Sequence, residues 1–230
     1  MSGENIERGR PRALRTARLE AFSDGVFAIA ITLLVLEISV PAGSEDDLLG
    51  AVLDQWPSYL AYFVSFASVG AIWLAHTAIT EYLDHADRWL MRLNLLLLLF
   101  VSFLPFPTKL LAESVKDEDA GRVATTIYGL TLLVTALVIS AVWRYAVYEQ
   151  LVRPDTTDED VKLLTKKLSP GLGGYAAMIA LGIFQPVAAV LGYLAVAAFY
   201  LIPFSSLRRH SRRDQGARAS QQAEAPRSEE

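Results

Sequence analysis

The sequence predicts an all-α membrane protein with six transmembrane helices per subunit. Three observations carry that reading. Charged residues crowd into the two ends and a few short segments, and between them lie runs of about twenty residues nearly free of charge; such a run crosses a ~30 Å hydrocarbon core at about 1.5 Å per residue. The stretches Leu95 to Val101 and Ala176 to Ile183 are apolar all round, whereas a helix of a soluble bundle keeps a polar stripe. Basic residues are concentrated in some connections and missing from others, the asymmetry that sets the orientation of a multi-pass chain.

Residues 1–17 form a polar arm with Arg8, Arg10, Arg12 and Arg15, expected to be mobile and cytoplasmic. The first span is predicted from Leu19 to Val40, with Arg18 at its edge and Pro41, Ala42 and Gly43 ending it. The connection that follows carries Glu45, Asp46, Asp47 and Asp54 and no basic residue. A second span is read from Trp56 to Tyr82, then a short turn with Asp84, His85, Asp87 and Arg88. The third covers Trp89 to Leu111, where Pro105 and Pro107 are expected to kink or end it. Glu113 to Asp119 reads as a charged turn and Arg122 to Tyr148 as the fourth span. Glu149 to Lys167 is highly charged and reads as cytoplasmic loop or interfacial helix. Leu168 to Phe204 is too long for one span and divides into two short ones, with Gln185 and Pro186 at the turn. The chain thus divides into an arm (1–17), a six-helix membrane domain (18–207) and a polar tail (208–230) for which disorder is expected.

The N-terminal arm, the 82–92 turn, the 149–167 loop and the proximal tail hold most of the Arg and Lys. The positive-inside rule then places both termini in the cytoplasm of a cell membrane, which requires an even number of spans, and six satisfies it. With no cysteine, disulfides, thiolate metal sites and cysteine nucleophiles are excluded. His76, His85 and His210 have no metal-ligand spacing, and no phosphate loop or nucleophile elbow is present. Nothing points to nucleic acid. Thr126-Ile-Tyr128-Gly129 faintly resembles a potassium-channel filter, but it lacks the first glycine and sits inside a predicted helix.

The first span is chemically the most unusual. It holds Ser23, Asp24, Thr32 and Glu37 in or near the bilayer, where an ionisable group is costly and normally faces protein or water. Asp24 reads either as a hydrogen-bonded structural carboxylate or as an ion-binding group. Gly25, Ile29, Thr32, Leu33 and Leu36 fall on one helical face. That face is either an ordinary packing stripe or the wall of a narrow pore, with rings of Ile29, Leu33 and Leu36 as a dewetting constriction and Thr32 offering a hydroxyl to an ion. The acidic 41–55 loop would gather cations at the outer mouth.

Arg18-x-x-x-Phe22-Ser23-Asp24, continuing Gly-Val-Phe-Ala-Ile-Ala-Ile-Thr-Leu-Leu, resembles the signature of the transmembrane protein 175 family, and Trp73-x-x-His76 falls where that family carries Trp and His. The resemblance implies a potassium-selective channel built from single six-helix repeats, assembled as a homotetramer and surrounded by membrane lipids. It implies a pore lined by the first helix, with Ile29, Leu33 and Leu36 as constriction and Thr32 as selectivity position. It further implies that Arg18, Phe22, Ser23 and Asp24 brace the pore helix, with Trp73 and His76 as partners. Potassium would be the permeant ion, with no resident cofactor and no enzymatic step. A proton-coupled secondary transporter using Asp24, Glu37 and His76 is the alternative; the inverted repeats and broken central helices that would mark it are not clear in the sequence.

Overall fold

The computed structural model describes residues 10–39, 43 and 45–201. Helix α1 spans Arg10–Leu33 and tightens into a 3₁₀ turn over Leu34–Glu37 before extended Ile38 ends it. Residues 10–17, expected in the mobile arm, are therefore helical. Ala13, Leu14 and Ala17 favour a helix, and Pro11 sits in the first turn, where no intrahelical bond is lost. The rest of the arm and the 208–230 tail lie outside the described residues.

The acidic connection contains a short helix, α2 (Leu48–Asp54), started by Asp47, whose Oδ1 accepts from the Gly50 N–H at 3.0 Å. Helix α3 runs Trp56–Tyr82, with Pro57 in its first turn. The third span is two pieces, α4 (Arg88–Phe103) and α5 (Pro105–Ser114). They part at Leu104 because Pro105 and Pro107 lack the N–H groups that would bond back to Val101 and Phe103. Thr108 secures the junction, its Oγ1 donating to the Leu104 carbonyl at 2.8 Å.

Helix α6 (Glu118–Tyr148) starts four residues ahead of the expected Arg122. Glu118 and Asp119 occupy its first turn, where the positive end of the helix dipole favours carboxylates. Asp117 caps it, and Arg122 pairs with Glu118 at 3.0 Å and Asp119 at 3.4 Å. The 149–167 segment contains helix α7 (Asp158–Leu168), opened by a capping box of Thr157 and Asp160. Helices α8 (Pro170–Gly182) and α9 (Pro186–Leu201) follow, with the turn at Gln185 and Pro186.

Among the described residues, four helical stretches are long and apolar enough to cross a membrane: Thr16–Glu37, Trp56–Tyr82, Arg88–Ser114 and Glu118–Tyr148. With these, the chain is a multi-pass membrane protein. Helix α3 is central and packs against α1, α5 and α9, while α8 lies against α6 and α9. A buried hydroxyl cluster joins α3, α5 and α6: Ser65 Oγ lies 2.7 Å from Thr108 Oγ1 and 3.0 Å from Tyr128 Oη. The Thr126–Gly129 stretch lies mid-helix in α6, where a side chain at Gly129 would overlap Tyr193 Oη and Ile179. Its glycine serves close helix packing.

The two connections read as basic are tied together. Asp84 N–H donates to the Leu151 carbonyl and Arg153 N–H to that of Tyr82, each at 2.9 Å, and Tyr145 Oη donates to Asp87 Oδ2 at 2.7 Å. The α3–α4 and α6–α7 turns therefore lie on the same side of the bundle.

Candidate functional site

The site is built on α1, which has two distinct faces. Leu19, Ser23, Phe27, Ala30 and Leu34 recur at helical spacing and are buried against α3 and α4. Phe22, Gly25, Ile29, Thr32, Leu33 and Leu36 lie on the exposed side; Ile29 is 61% and Leu36 70% exposed. The stripe predicted from spacing thus does not pack within its own subunit. An apolar face this long that is left open marks contact with lipid, another chain or a narrow passage. Thr32 Oγ1 donates to the Ile29 carbonyl at 2.9 Å. Its hydroxyl hydrogen is thereby committed to the backbone, and what it presents outward is an oxygen acceptor.

The buried face is held by a polar chain with a defined direction. His76 Nε2 lies 2.9 Å from Asn94 Oδ1. An amide oxygen only accepts, so the imidazole donates there. Asn94 Nδ2 donates to Ser23 Oγ at 2.9 Å, and Ser23 Oγ donates to the Leu19 carbonyl at 2.8 Å. The ring of Phe27 stacks obliquely on His76, centroids 5.6 Å apart. All three polar residues are at most 4% exposed. Beside this chain, Trp73 Nε1 donates to Asp24 Oδ1 at 2.9 Å. Ser23 and Asp24 on α1 are thus each tied to other helices, Ser23 through Asn94 to His76 and Asp24 directly to Trp73.

The expected bracing set is split by the structure. Ser23, Asp24, Trp73 and His76 come together, whereas Arg18 and Phe22 are exposed and Arg18 forms no ion pair among the described residues. Sequence reasoning missed Asn94, the amide that joins Ser23 to His76. Its signal was a lone polar side chain inside the Leu93–Phe100 run, a costly placement in a membrane helix. The loss of the indole donor in Trp73→Phe is expected to destabilise the subunit by ~1 kcal/mol. Thermal unfolding in detergent checks this, and an Asp24→Ala variant that is not further destabilised by Trp73→Phe identifies the same contact.

The ionisable groups of α1 do not form one cluster. Asp24 and Glu37 are 13 positions apart, about 20 Å along the helix, and His76 is buried behind the open face. Among the described residues, no group of three or more His, Asp or Glu is placed to hold a metal ion.

Comparison with known proteins fits this geometry. The family profile described as "Endosomal/lysosomal potassium channel TMEM175" matches residues 18–105, the segment that contains most of α1, all of α3 and α4, and their polar links. A potassium channel of Chamaesiphon minutus is 41% identical over 194 residues, covering 83% of this chain and 95% of that one. The chain belongs to the TMEM175 family. A second relative, a potassium channel of Streptomyces collinus, is 48% identical over 129 residues; the match spans 56% of this chain and 63% of that protein. The crystal structure of a lysosomal potassium-selective channel TMEM175 homolog from Chamaesiphon minutus superposes with a TM-score of 0.73 at 39% identity, over 80% of this chain and 95% of that one. The all-helical arrangement described above is thus the TMEM175 fold.

Proposed function

We propose that this chain is the subunit of a potassium-selective channel that passes the ion passively down its gradient. In this reading four copies surround one axis and α1 of each faces it. Each subunit crosses the cell membrane six times, with both termini cytoplasmic: α1, α3, the α4–α5 pair, α6, α8 and α9 are the six crossings. The observation that carries the reading is the open face of α1, apolar at Ile29, Leu33 and Leu36 with an outward oxygen at Thr32 between them. Rings of branched apolar side chains in a narrow passage exclude water and so set the conduction barrier. Four Thr32 oxygens would replace part of the hydration shell of a dehydrated potassium ion there. The buried Ser23–Asn94–His76 chain and the Asp24–Trp73 bond fix the rotation of α1, and with it the side chains that reach the axis.

The potassium channels among its relatives support this reading, and no catalytic step belongs to it. The test is recording from purified protein in liposomes under opposed potassium and sodium gradients. Unitary current steps that reverse near the potassium equilibrium potential are the expected result. Saturable exchange with a fixed proton stoichiometry would instead establish a coupled transporter.

A further inference from the structure

At the end of the bundle that carries the 41–55 connection, the 3₁₀ turn after α1, the α2–α3 junction and α5 enclose a cavity of about 350 Å³, within the roughly 300–1,000 Å³ typical of small-ligand sites. Its wall carries charges of both signs: Lys109 and Lys116 from α5 and the turn after it, and Glu37, Asp54 and Glu113. These charges do not neutralise one another. Among the described residues Lys109, Glu37 and Glu113 form no ion pair. Lys116 is positioned by donating to the Asp54 backbone carbonyl at 2.9 Å, which leaves two of its N–H groups for another acceptor.

The neighbouring α2 fixes the level of this cavity in the membrane. It buries no residue against its own subunit, and Leu48, Leu49 and Leu53 are 58%, 72% and 66% exposed. Trp56, at the start of α3, is also exposed. A short helix with bare leucines next to an exposed indole, joined directly to a charged pocket, has the composition of a segment lying at the headgroup–acyl boundary. The charged cavity then stands at headgroup depth.

We infer that this cavity holds the headgroup of a phospholipid with a primary-amine zwitterion, phosphatidylethanolamine in chemical class, with its acyl chains against the leucines of α2. The lysines donate to the phosphate, and the ammonium donates to the carboxylates of Glu37, Asp54 and Glu113, as charge-assisted hydrogen bonds. Phosphatidylcholine offers the same net charge but no N–H donor. Phosphatidylglycerol offers the phosphate but leaves three carboxylates facing an anion.

The test is native mass spectrometry of the purified full-length protein exchanged into an equimolar mixture of the three lipids. Retained phosphatidylethanolamine is expected to exceed each of the others by about tenfold. The Lys109→Gln/Lys116→Gln pair is expected to abolish that excess, and Glu37→Gln/Glu113→Gln to shift retention toward phosphatidylglycerol. Equal retention of all three lipids by the unmodified protein, or a preference for phosphatidylglycerol, overturns the inference with no variant needed. It is also overturned if Leu49→Ser lowers the number of subunits in the assembly while lipid retention is unchanged, because α2 would then be a contact between copies.

Discussion

Ile29→Asn and Leu33→Asn are each expected to raise potassium current through single channels by about tenfold, the factor that a ~1.4 kcal/mol lower barrier gives. The two residues are 61% and 41% exposed on the open face of α1, one turn apart. In a narrow passage lined by such rings, a cation must leave its water behind without gaining compensating ligands. An amide at either position supplies a carbonyl oxygen and holds water, so the passage stays wetted. The measurement is conductance in planar bilayers at symmetrical potassium. Leu34→Asn serves as the control: Leu34 is buried on the opposite face of the same turn, so it is expected to lower the amount of folded protein and leave unitary conductance unaltered. Unchanged conductance in both Ile29 and Leu33 variants would move the constriction away from α1.

Asn94→Leu is expected to cost about 2–4 kcal/mol of subunit stability, because it orphans two buried groups at ~1–3 kcal/mol each while adding a little apolar contact. The orphaned groups are the His76 Nε2–H and the acceptor lone pair of Ser23 Oγ. Neither has water to turn to, since both residues are at most 2% exposed. Thermal or denaturant unfolding in detergent measures the loss. A double-mutant cycle with His76→Phe separates the pair from general packing: the combined variant is expected to be less destabilised than the sum of the two single ones, with a coupling of ~0.5–3 kcal/mol. Strict additivity would mean that Asn94 and His76 act independently.

The spans were legible in the sequence because the bilayer dictates both their length and their apolarity. The second span, expected near Trp56 to near Tyr82, is the helix Trp56–Tyr82, and Pro105 and Pro107 mark the break at Leu104. Helix starts were read less well. Arg10 to Ala17 read as mobile arm and Glu118 and Asp119 as turn because these segments are polar and charged, yet charge is no obstacle to a helix that projects beyond the hydrocarbon, and carboxylates favour its N-terminal turn. Periodicity placed Ile29, Thr32, Leu33 and Leu36 on one face, but spacing does not say what a face touches; only the packing of α3 and α4 on the opposite side leaves this one open. Asn94 escaped for a similar reason. A neutral amide among leucines carries no charge signal, and its meaning depends on Ser23 and His76, which lie 71 and 18 positions away.

The tightening of α1 at its end sets the shape of whatever that helix encloses. A 3₁₀ segment repeats every three residues and rises about 2.0 Å per residue, so Leu33 and Leu36 stand almost directly above one another. Regular α winding would instead offset them around the helix. In the proposed fourfold assembly, two vertically aligned leucine tiers would form a straight hydrophobic sleeve about 6 Å deep.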